Sequence, residues 1–439
     1  MKKFLNSDLF AVFNWKEDRA FGRFTILTSI ILHNMVSHLA LGGTLYTAFL
    51  MVNNFSIVDT GIISFLPALS GIFILISPIL LERFQKRRWI LAIGRSLYYG
   101  INIIGITLIT LFVHDQQMKL VLFGVIVFLS NSCFSMISSG YQVWQMNFLP
   151  EEIRPRYFSY QQIISQVFSG LSLLVFGLIA DAIRGTEQEF FVLTVLRVAG
   201  FVFAVLDVII VSLPKEYSYP STEEKVQLRH TFVLPLRNRK FLLTMAVIAA
   251  WGFSGNLTAT WTYYLMNTVE IKVTVINMMD FAYIFWLFLM LPFWRKVLRK
   301  FSWFSTFCLC AIPVTLLTSL QAGVHLVPHA NLFLFVLNMI IQPFSVGLNL
   351  AYSNFIYINM PKENQTYFMS FYLTMVNVVA LLGQMTGTWL LHLLGDALPF
   401  FGMQLDSPAF LVLLKTALQL GVAIVLFFMR NKLQPDPQG

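Results

Sequence analysis

Apolar residues gather along this chain into twelve stretches, and short polar joints separate them. A helix of about 20 apolar residues crosses the roughly 30 Å hydrocarbon layer, where the backbone has to satisfy its own hydrogen bonds. The pattern therefore predicts membrane-spanning helices over 24–51, 60–82, 89–113, 119–149, 156–182, 190–213, 241–267, 274–294, 302–320, 330–360, 366–395 and 408–430. The runs are continuous rather than alternating, which excludes a β-barrel.

Several runs carry polar residues at helical spacing. In span four, Asn131, Ser135, Ser138, Gln142 and Gln145 recur on one face, and in span ten Asn338, Gln342, Ser345 and Asn349 do the same. Such a face in a bilayer lines a water-filled cavity or joins one helix to the next. Span eleven adds Ser370, Thr374, Asn377, Gln384 and Thr388, and span five adds Gln162, Gln166 and Ser169. Span one contributes Asn34 and His38 a turn apart with His33 beside them, span seven Trp251 and Asn256, and span eight Asp280, Tyr283 and Trp286.

Composition strengthens the membrane assignment: 57% of the 439 residues are hydrophobic and 12% charged, against roughly 25% charged in a soluble domain. Charge then orients the chain. Of 30 basic residues, 24 fall in the N-terminal arm, the even-numbered joints, the central loop and the tail. Only Lys119, Arg184 and Lys272 fall in the odd-numbered joints, and Arg95, Arg197 and Lys415 lie within spans. By the positive-inside rule both termini face the cytoplasm. The net charge of +9 thus reads as topology, not as nucleic-acid affinity.

The N-terminal arm lacks the long apolar region of a cleavable signal, so the first span is expected to be the insertion signal, with Ser7 to Trp15 forming an interfacial helix or a disordered arm. Cys133, Cys308 and Cys310 lie in apolar runs and suggest neither a disulfide framework nor a metal site. No cofactor motif is present.

The hydrophilic stretch 214–240 separates two similar halves, 24–213 and 241–430, flanked by an arm at 1–23 and a tail at 431–439. Gly140-Tyr141 matches Ala351-Tyr352 at an offset of 211, Tyr157-Phe158 matches Tyr367-Phe368 at 210, and Leu50-Met51 matches Leu265-Met266 at 215. At 211, Asn131 falls on Gln342 and Ser138 on Asn349, so the polar stripes respect the repeat.

Six spans per repeat, a long central loop and parallel halves resemble the major facilitator superfamily. The segment Pro78 to Arg87, with Glu82-Arg83 and Lys86-Arg87, loosely resembles the family's Gly-x-Leu-x-Asp-Arg-x-Gly-Arg-Lys joint, although Pro78 and Gln85 replace both glycines. Leu149 to Phe158 resembles the Pro-Glu-x-x-Arg-Gly-Arg-Tyr-Phe pattern of a bacterial group in that superfamily, with Pro155 in place of glycine. The resemblance implies an all-α membrane protein, twelve transmembrane helices in two six-helix halves related by pseudo-two-fold symmetry. It also implies a central cavity lined by spans one, four, seven and ten, with two, five, eight and eleven at its sides.

On that basis Asn34, His38, Asn131, Ser138, Gln142, Gln166, Asn256, Tyr283, Trp286, Gln342, Asn349, Asn377 and Gln384 are expected to line a substrate cavity. Asp280 and His38 are the expected proton-coupling groups, because an ionisable side chain inside a membrane is costly unless paired or neutralised. Asp207, on a span peripheral in the family, suits structural pairing. Glu82, Arg83, Arg87, Glu151, Arg154 and Arg156 form a cytoplasmic gate of weak exposed pairs that break in each cycle.

The function expected is secondary active transport, by alternating access, of a small neutral, zwitterionic or amphipathic solute, with proton favoured over sodium as coupling ion. The setting is the cell membrane, and the oligomeric state implied by the family is a monomer. No Gly-x-x-x-x-Gly-Lys-Ser/Thr phosphate loop and no His-Glu-x-x-His or Gly-x-Ser-x-Gly pattern occurs, so ATP-driven transport and enzyme chemistry are disfavoured. The fifth span also lacks the Gly-Pro motif of many drug antiporters. A non-transporting receptor or scaffold with the same fold and a lipid flippase are the alternatives.

Overall fold

A computed structural model of the chain describes residues 19–77, 84, 86–146, 148–149, 153–216, 228–361, 365–400 and 403–433. Among these, twelve helical segments are long and apolar enough to cross a membrane: Ala20–Val52, Ile57–Ile76, Arg88–Phe112, Gln116–Ser138, Tyr160–Ile183, Glu189–Ser212, Arg239–Asn267, Val273–Lys300, Trp303–Leu326, Ala330–Ile358, Tyr367–Leu394 and Ser407–Leu433. They are called spans one to twelve below. The expected boundaries hold to within a few residues at most ends.

The eighth span runs past its expected end. It continues to Lys300, so Arg295, Lys296, Arg299 and Lys300 extend the helix instead of forming a joint. Cations at a helix C-terminus meet the negative end of the backbone dipole, which favours continuing the turn. The linker also holds structure, a helix over Leu228–Arg237. The expected interfacial helix over residues 7–15 lies outside the described residues. One antiparallel hairpin, β1 (Ala397–Phe400) with β2 (Met403–Asp406), joins spans eleven and twelve.

The residues cluster into two units, Met1–Asn54 with Ser70–Val226, and Phe55–Leu69 with Gln227–Gly439. In the first, Ile26, Leu91, Ile137, Trp144, Phe148, Tyr157 and Val211 form a buried core. In the second, Phe241, Trp251, Phe304, Phe307, Phe355 and Phe368 interlock, with the Trp251 and Phe307 rings edge to face at 4.8 Å. Large apolar side chains also point outward; Phe112 is 74% and Phe428 77% exposed, as expected of surfaces solvated by lipid.

Local chemistry sets the helix starts. Ser56 and Asp59 cap each other: the Ser56 amide donates to Asp59 Oδ2 at 2.9 Å and the Asp59 amide to Ser56 Oγ at 3.1 Å. Asn238 Oδ1 accepts from the Phe241 amide at 3.0 Å to begin span seven. Glu216, beyond the end of span six, accepts from the backbone amides of both Arg87 and Arg88 and so caps span three.

Span one is broken. After Ala20–Val36 it widens to a π-helical turn over Ser37–Leu41, stops at Gly42 and restarts at Gly43. Gly43 has φ of 74°, a left-handed conformation that disfavours a β-carbon. Span seven is broken as well, its helix ending at Asn256 and a turn at Leu257–Thr260 leading into Trp261–Asn267. Gly42 and Leu257 are 215 residues apart, the offset that maps Leu50-Met51 onto Leu265-Met266. Both repeats therefore interrupt their first helix at the same place.

Candidate functional site

In the first unit the break in span one sits among polar side chains. Asn34 Nδ2 donates to Ser165 Oγ at 2.7 Å, and one turn on His38 Nε2 lies 2.6 Å from Ser169 Oγ. The two rungs join spans one and five on matching i, i+4 faces. The sequence named Ser169 on this face but placed Gln166 where Ser165 stands; Gln166 is half-buried beside it and Gln162 is exposed.

The helix of span four runs on to Met146 and keeps its stripe as a face, with Ser135 and Gln145 buried and Asn131 and Ser138 half-buried. Asn131 Nδ2 is turned back on the Val127 carbonyl at 2.8 Å, and Ser138 Oγ on that of Ser135 at 3.1 Å. The Gln142 side chain lies outside the described residues.

Behind this face is a buried ionic cluster that the sequence flagged only as separate charges. Arg95 of span three pairs with Asp207 of span six at 2.7 Å. Ser29 Oγ donates to Asp207 Oδ1 at 2.5 Å, Tyr99 Oη donates to Asp207 Oδ2 at 2.7 Å, and the Arg95 guanidinium lies 4.1 Å from the Tyr141 ring centre. Asp207 is therefore a paired structural carboxylate, as its position on a peripheral span suggested. Arg197 is treated differently: its Nη1 donates at 2.7 Å to the Ala40 carbonyl, within the π-helical turn of span one. A π turn leaves carbonyls poorly served by their own helix, and the buried guanidinium answers that need.

In the second unit Gln384 Nε2 donates to Asn256 Oδ1 at 3.1 Å, and Asn256 Nδ2 donates to the Gly252 carbonyl at 2.8 Å. This pair stands at the break in span seven. Beside it is a cavity of about 150 Å³ whose wall includes Ile248, Gly252, Asn256, Tyr352, Met375 and Val379. Gly383 and Gly387 of span eleven make the approach possible. A β-carbon on Gly383 would lie 2.6 Å from the Phe253 carbonyl oxygen, and one on Gly387 would collide with that of Leu257. This small-xxx-small spacing escaped the sequence reading, although Gly383-x-x-x-Gly387 is visible there.

Span ten uses much of its stripe to hold span eight. Asn338 Nδ2 lies 2.9 Å from Met279 Sδ, Gln342 Nε2 donates to the Met279 carbonyl at 3.4 Å, and Asn349 Nδ2 donates to Tyr283 Oη at 3.1 Å. Asn377 is half-buried and bonds back to the Leu373 carbonyl at 2.9 Å. Within the expected site some groups remain uncommitted among the described residues. Gln384 Oε1 and Trp286 Nε1 are buried without a hydrogen-bond partner, and the exposed Asp280 carboxylate has neither hydrogen bond nor ion pair.

Of the expected gate, Glu82, Arg83 and Glu151 lie outside the described residues, as does the Arg156 side chain. Arg154 Nε donates to the Leu149 carbonyl at 2.9 Å, within its own joint, and the Arg87 amide is held by Glu216, a partner the sequence had not named.

A profile of the Major Facilitator Superfamily matches residues 19–384. Solved structures resemble the fold over nearly the whole chain. A bacterial homologue of the iron transporter ferroportin, in an inward-facing state, aligns with a TM-score of 0.67 at 12% identity, over 94% of this chain and 98% of that one. The nucleoside transporter NupG gives 0.65 at 12% over 93% and 98%. The xylose transporter XylE from E. coli gives 0.65 at 12% over 95% and 97%. No curated relative matches the sequence.

Proposed function

The chain belongs to the Major Facilitator Superfamily and is a multi-pass membrane transporter, and from that premise we propose that it moves a small neutral, zwitterionic or amphipathic solute by proton-coupled alternating access. One observation carries the reading: the first helix of each repeat is interrupted at equivalent positions, Gly42 and Leu257, with polar side chains beside each break. Interrupted helices in corresponding positions of two repeats are where transporters of this general kind build their midplane sites, because irregular backbone is tolerated there only against protein or a hydrated cavity.

The groups at those breaks are amides, hydroxyls and imidazole, which suit a solute with little net charge. The uncommitted Gln384 Oε1 and Trp286 Nε1 supply an acceptor and a donor. We assign solute contact to these two and to Asn34, His38 and Asn256, with Asn131, Ser138, Gln142, Gln166, Tyr283, Gln342, Asn349 and Asn377 lining the path. Asp280 and His38 take the coupling proton, since an unpaired carboxylate in a span is relieved by protonation. The basic joints gate the cytoplasmic side, both termini are cytoplasmic, and the protein works as a monomer in the cell membrane.

The test is proton release from purified protein in weakly buffered detergent on adding a panel of sugars, nucleosides, amino acids and amphipathic amines. Release that is lost in Asp280→Asn or His38→Gln supports the reading; release that survives in both rejects the coupling assignment. Silence across the panel, with solute binding detected by thermal stabilisation, rejects proton coupling.

A further inference from the structure

Span one carries a second histidine that the assignment above leaves unused. The His33 ring stacks on Phe134, with centroids 5.8 Å apart and planes 11° apart, and its Nδ1 lies 2.7 Å from Tyr99 Oη. That hydroxyl lies in turn 2.7 Å from Asp207 Oδ2. Asp207 is paired with Arg95 at 2.7 Å and accepts a further bond from Ser29 at 2.5 Å. The chain imidazole, phenol, carboxylate is continuous from span one through span three to span six.

Counting hydrogens along this chain fixes the tautomer. A carboxylate paired with arginine only accepts, and a tyrosine hydroxyl has a single hydrogen to give. That hydrogen therefore points at Asp207, and the Tyr99 oxygen takes its second bond from His33 acting as donor. Neutral His33 carries its hydrogen on Nδ1, and its lone pair sits on Nε2. No described residue bonds to that nitrogen, and the ring is half-buried.

We infer that His33 Nε2 is a proton-binding atom of the first unit, and that Tyr99 and Asp207 are positioning residues that hold the ring in this tautomer. The inference deepens the proton-coupled transport proposed above and rests on it for its purpose. A proton adds to the Nε2 lone pair, the Nδ1 hydrogen stays directed at Tyr99, and no other bond changes. The charge so created faces a carboxylate through one hydroxyl.

The charged and titratable groups around the ring are Arg95, Tyr98 and Tyr99 of span three, Tyr141 of span four, Asp207 of span six and His38 on its own span. Arg95 repels and Asp207 attracts a charge on the ring, and the formal charge of the cluster passes from neutral to a single positive charge. His38 differs: its Nε2 is engaged by the Ser169 hydroxyl, and no carboxylate stands behind it among the described residues.

The experiment uses full-length protein in lipid nanodiscs with ¹⁵N-labelled histidine, the His33 signal being assigned by its loss in His33→Gln. Neutral His33 is expected as the Nδ1–H tautomer, and Tyr99→Phe is expected to abolish that preference while the ring remains. Proton uptake on acidification, counted in weakly buffered solution, is expected to fall by one per chain in His33→Gln. His33→Asn repeats the count should the glutamine variant fail to fold. A wild-type ring protonated on Nε2 when neutral, or unchanged uptake in both His33 variants, overturns the inference. Neither measurement uses a solute, so a protein that binds this proton yet releases none to any solute refutes coupled transport and leaves the site standing.

Discussion

The Arg95 guanidinium lies 2.7 Å from the Asp207 carboxylate, the two side chains being 4% and 0% exposed. Removing one partner strands a charge in a dry interior, which costs about 3–5 kcal/mol, whereas replacing both by apolar groups of similar size is often close to neutral. Asp207→Ala is therefore expected to lower the unfolding temperature in detergent sharply, and Arg95→Met with Asp207→Leu to recover most of it. Equal loss in the single and double variants would show that the pair does not hold the first unit together.

Gly387 lies so close to the Leu257 carbonyl that a side chain has no room. Gly387→Leu should push span eleven off span seven, cost about 1–3 kcal/mol by overpacking, and disturb the hydrogen bond between Gln384 and Asn256. Gly387→Ala should show the same effects more weakly. Thermal stability in detergent and purified yield check both, and a Gly387→Leu variant as stable as the parent would contradict the packing.

At Gly43 the backbone has φ of 74°. Placing alanine in a left-handed conformation costs roughly 1–2 kcal/mol, so Gly43→Ala should be measurably less stable than a control Gly100→Ala, whose φ of −62° is helical and whose added carbon meets open space. The difference between the two melting temperatures is the readout.

Gln384 holds Asn256 with its amide nitrogen and leaves its buried oxygen unpartnered. Gln384→Ala should weaken solute affinity about tenfold, the equivalent of about 1.4 kcal/mol, and Gln384→Glu should change solute preference towards cations. Binding isotherms for any solute that stabilises the wild type decide this, and unchanged affinity in both variants would remove Gln384 from the site.

Asp280 carries an unpaired carboxylate on span eight. In proteoliposomes, Asp280→Asn is expected to keep solute exchange across the membrane and to lose accumulation driven by an imposed proton gradient. Accumulation that persists at the wild-type level would move the coupling function elsewhere, with His33 the next residue to change.

Much of this architecture was legible in one dimension. The span positions follow from runs of apolar residues, since in lipid a segment of that length has to be a helix whatever its neighbours are. The repeat followed from a nearly constant offset, and the ionisable residues within spans stood out because each is expensive there. Two signals were present and passed over: Gly42-Gly43 in the middle of span one, and Gly383-x-x-x-Gly387 in span eleven.

The sequence by itself determined the class, the twelve spans, the two-fold repeat and the set of polar residues available for chemistry, because hydropathy and helical period are local properties. Which of those residues meet was decided only by the tertiary structure. Arg95 and Asp207 are 112 positions apart, Asn34 and Ser165 131, and Asn256 and Gln384 128. A helical period gives the face on which a side chain lies but not the helix that covers the face, so the contacts of the span-ten stripe with Met279 and Tyr283 were decided by packing. For the same reason His38 stood out by its spacing from Asn34, while the chain from His33 through Tyr99 to Asp207 emerged only when three spans were packed together.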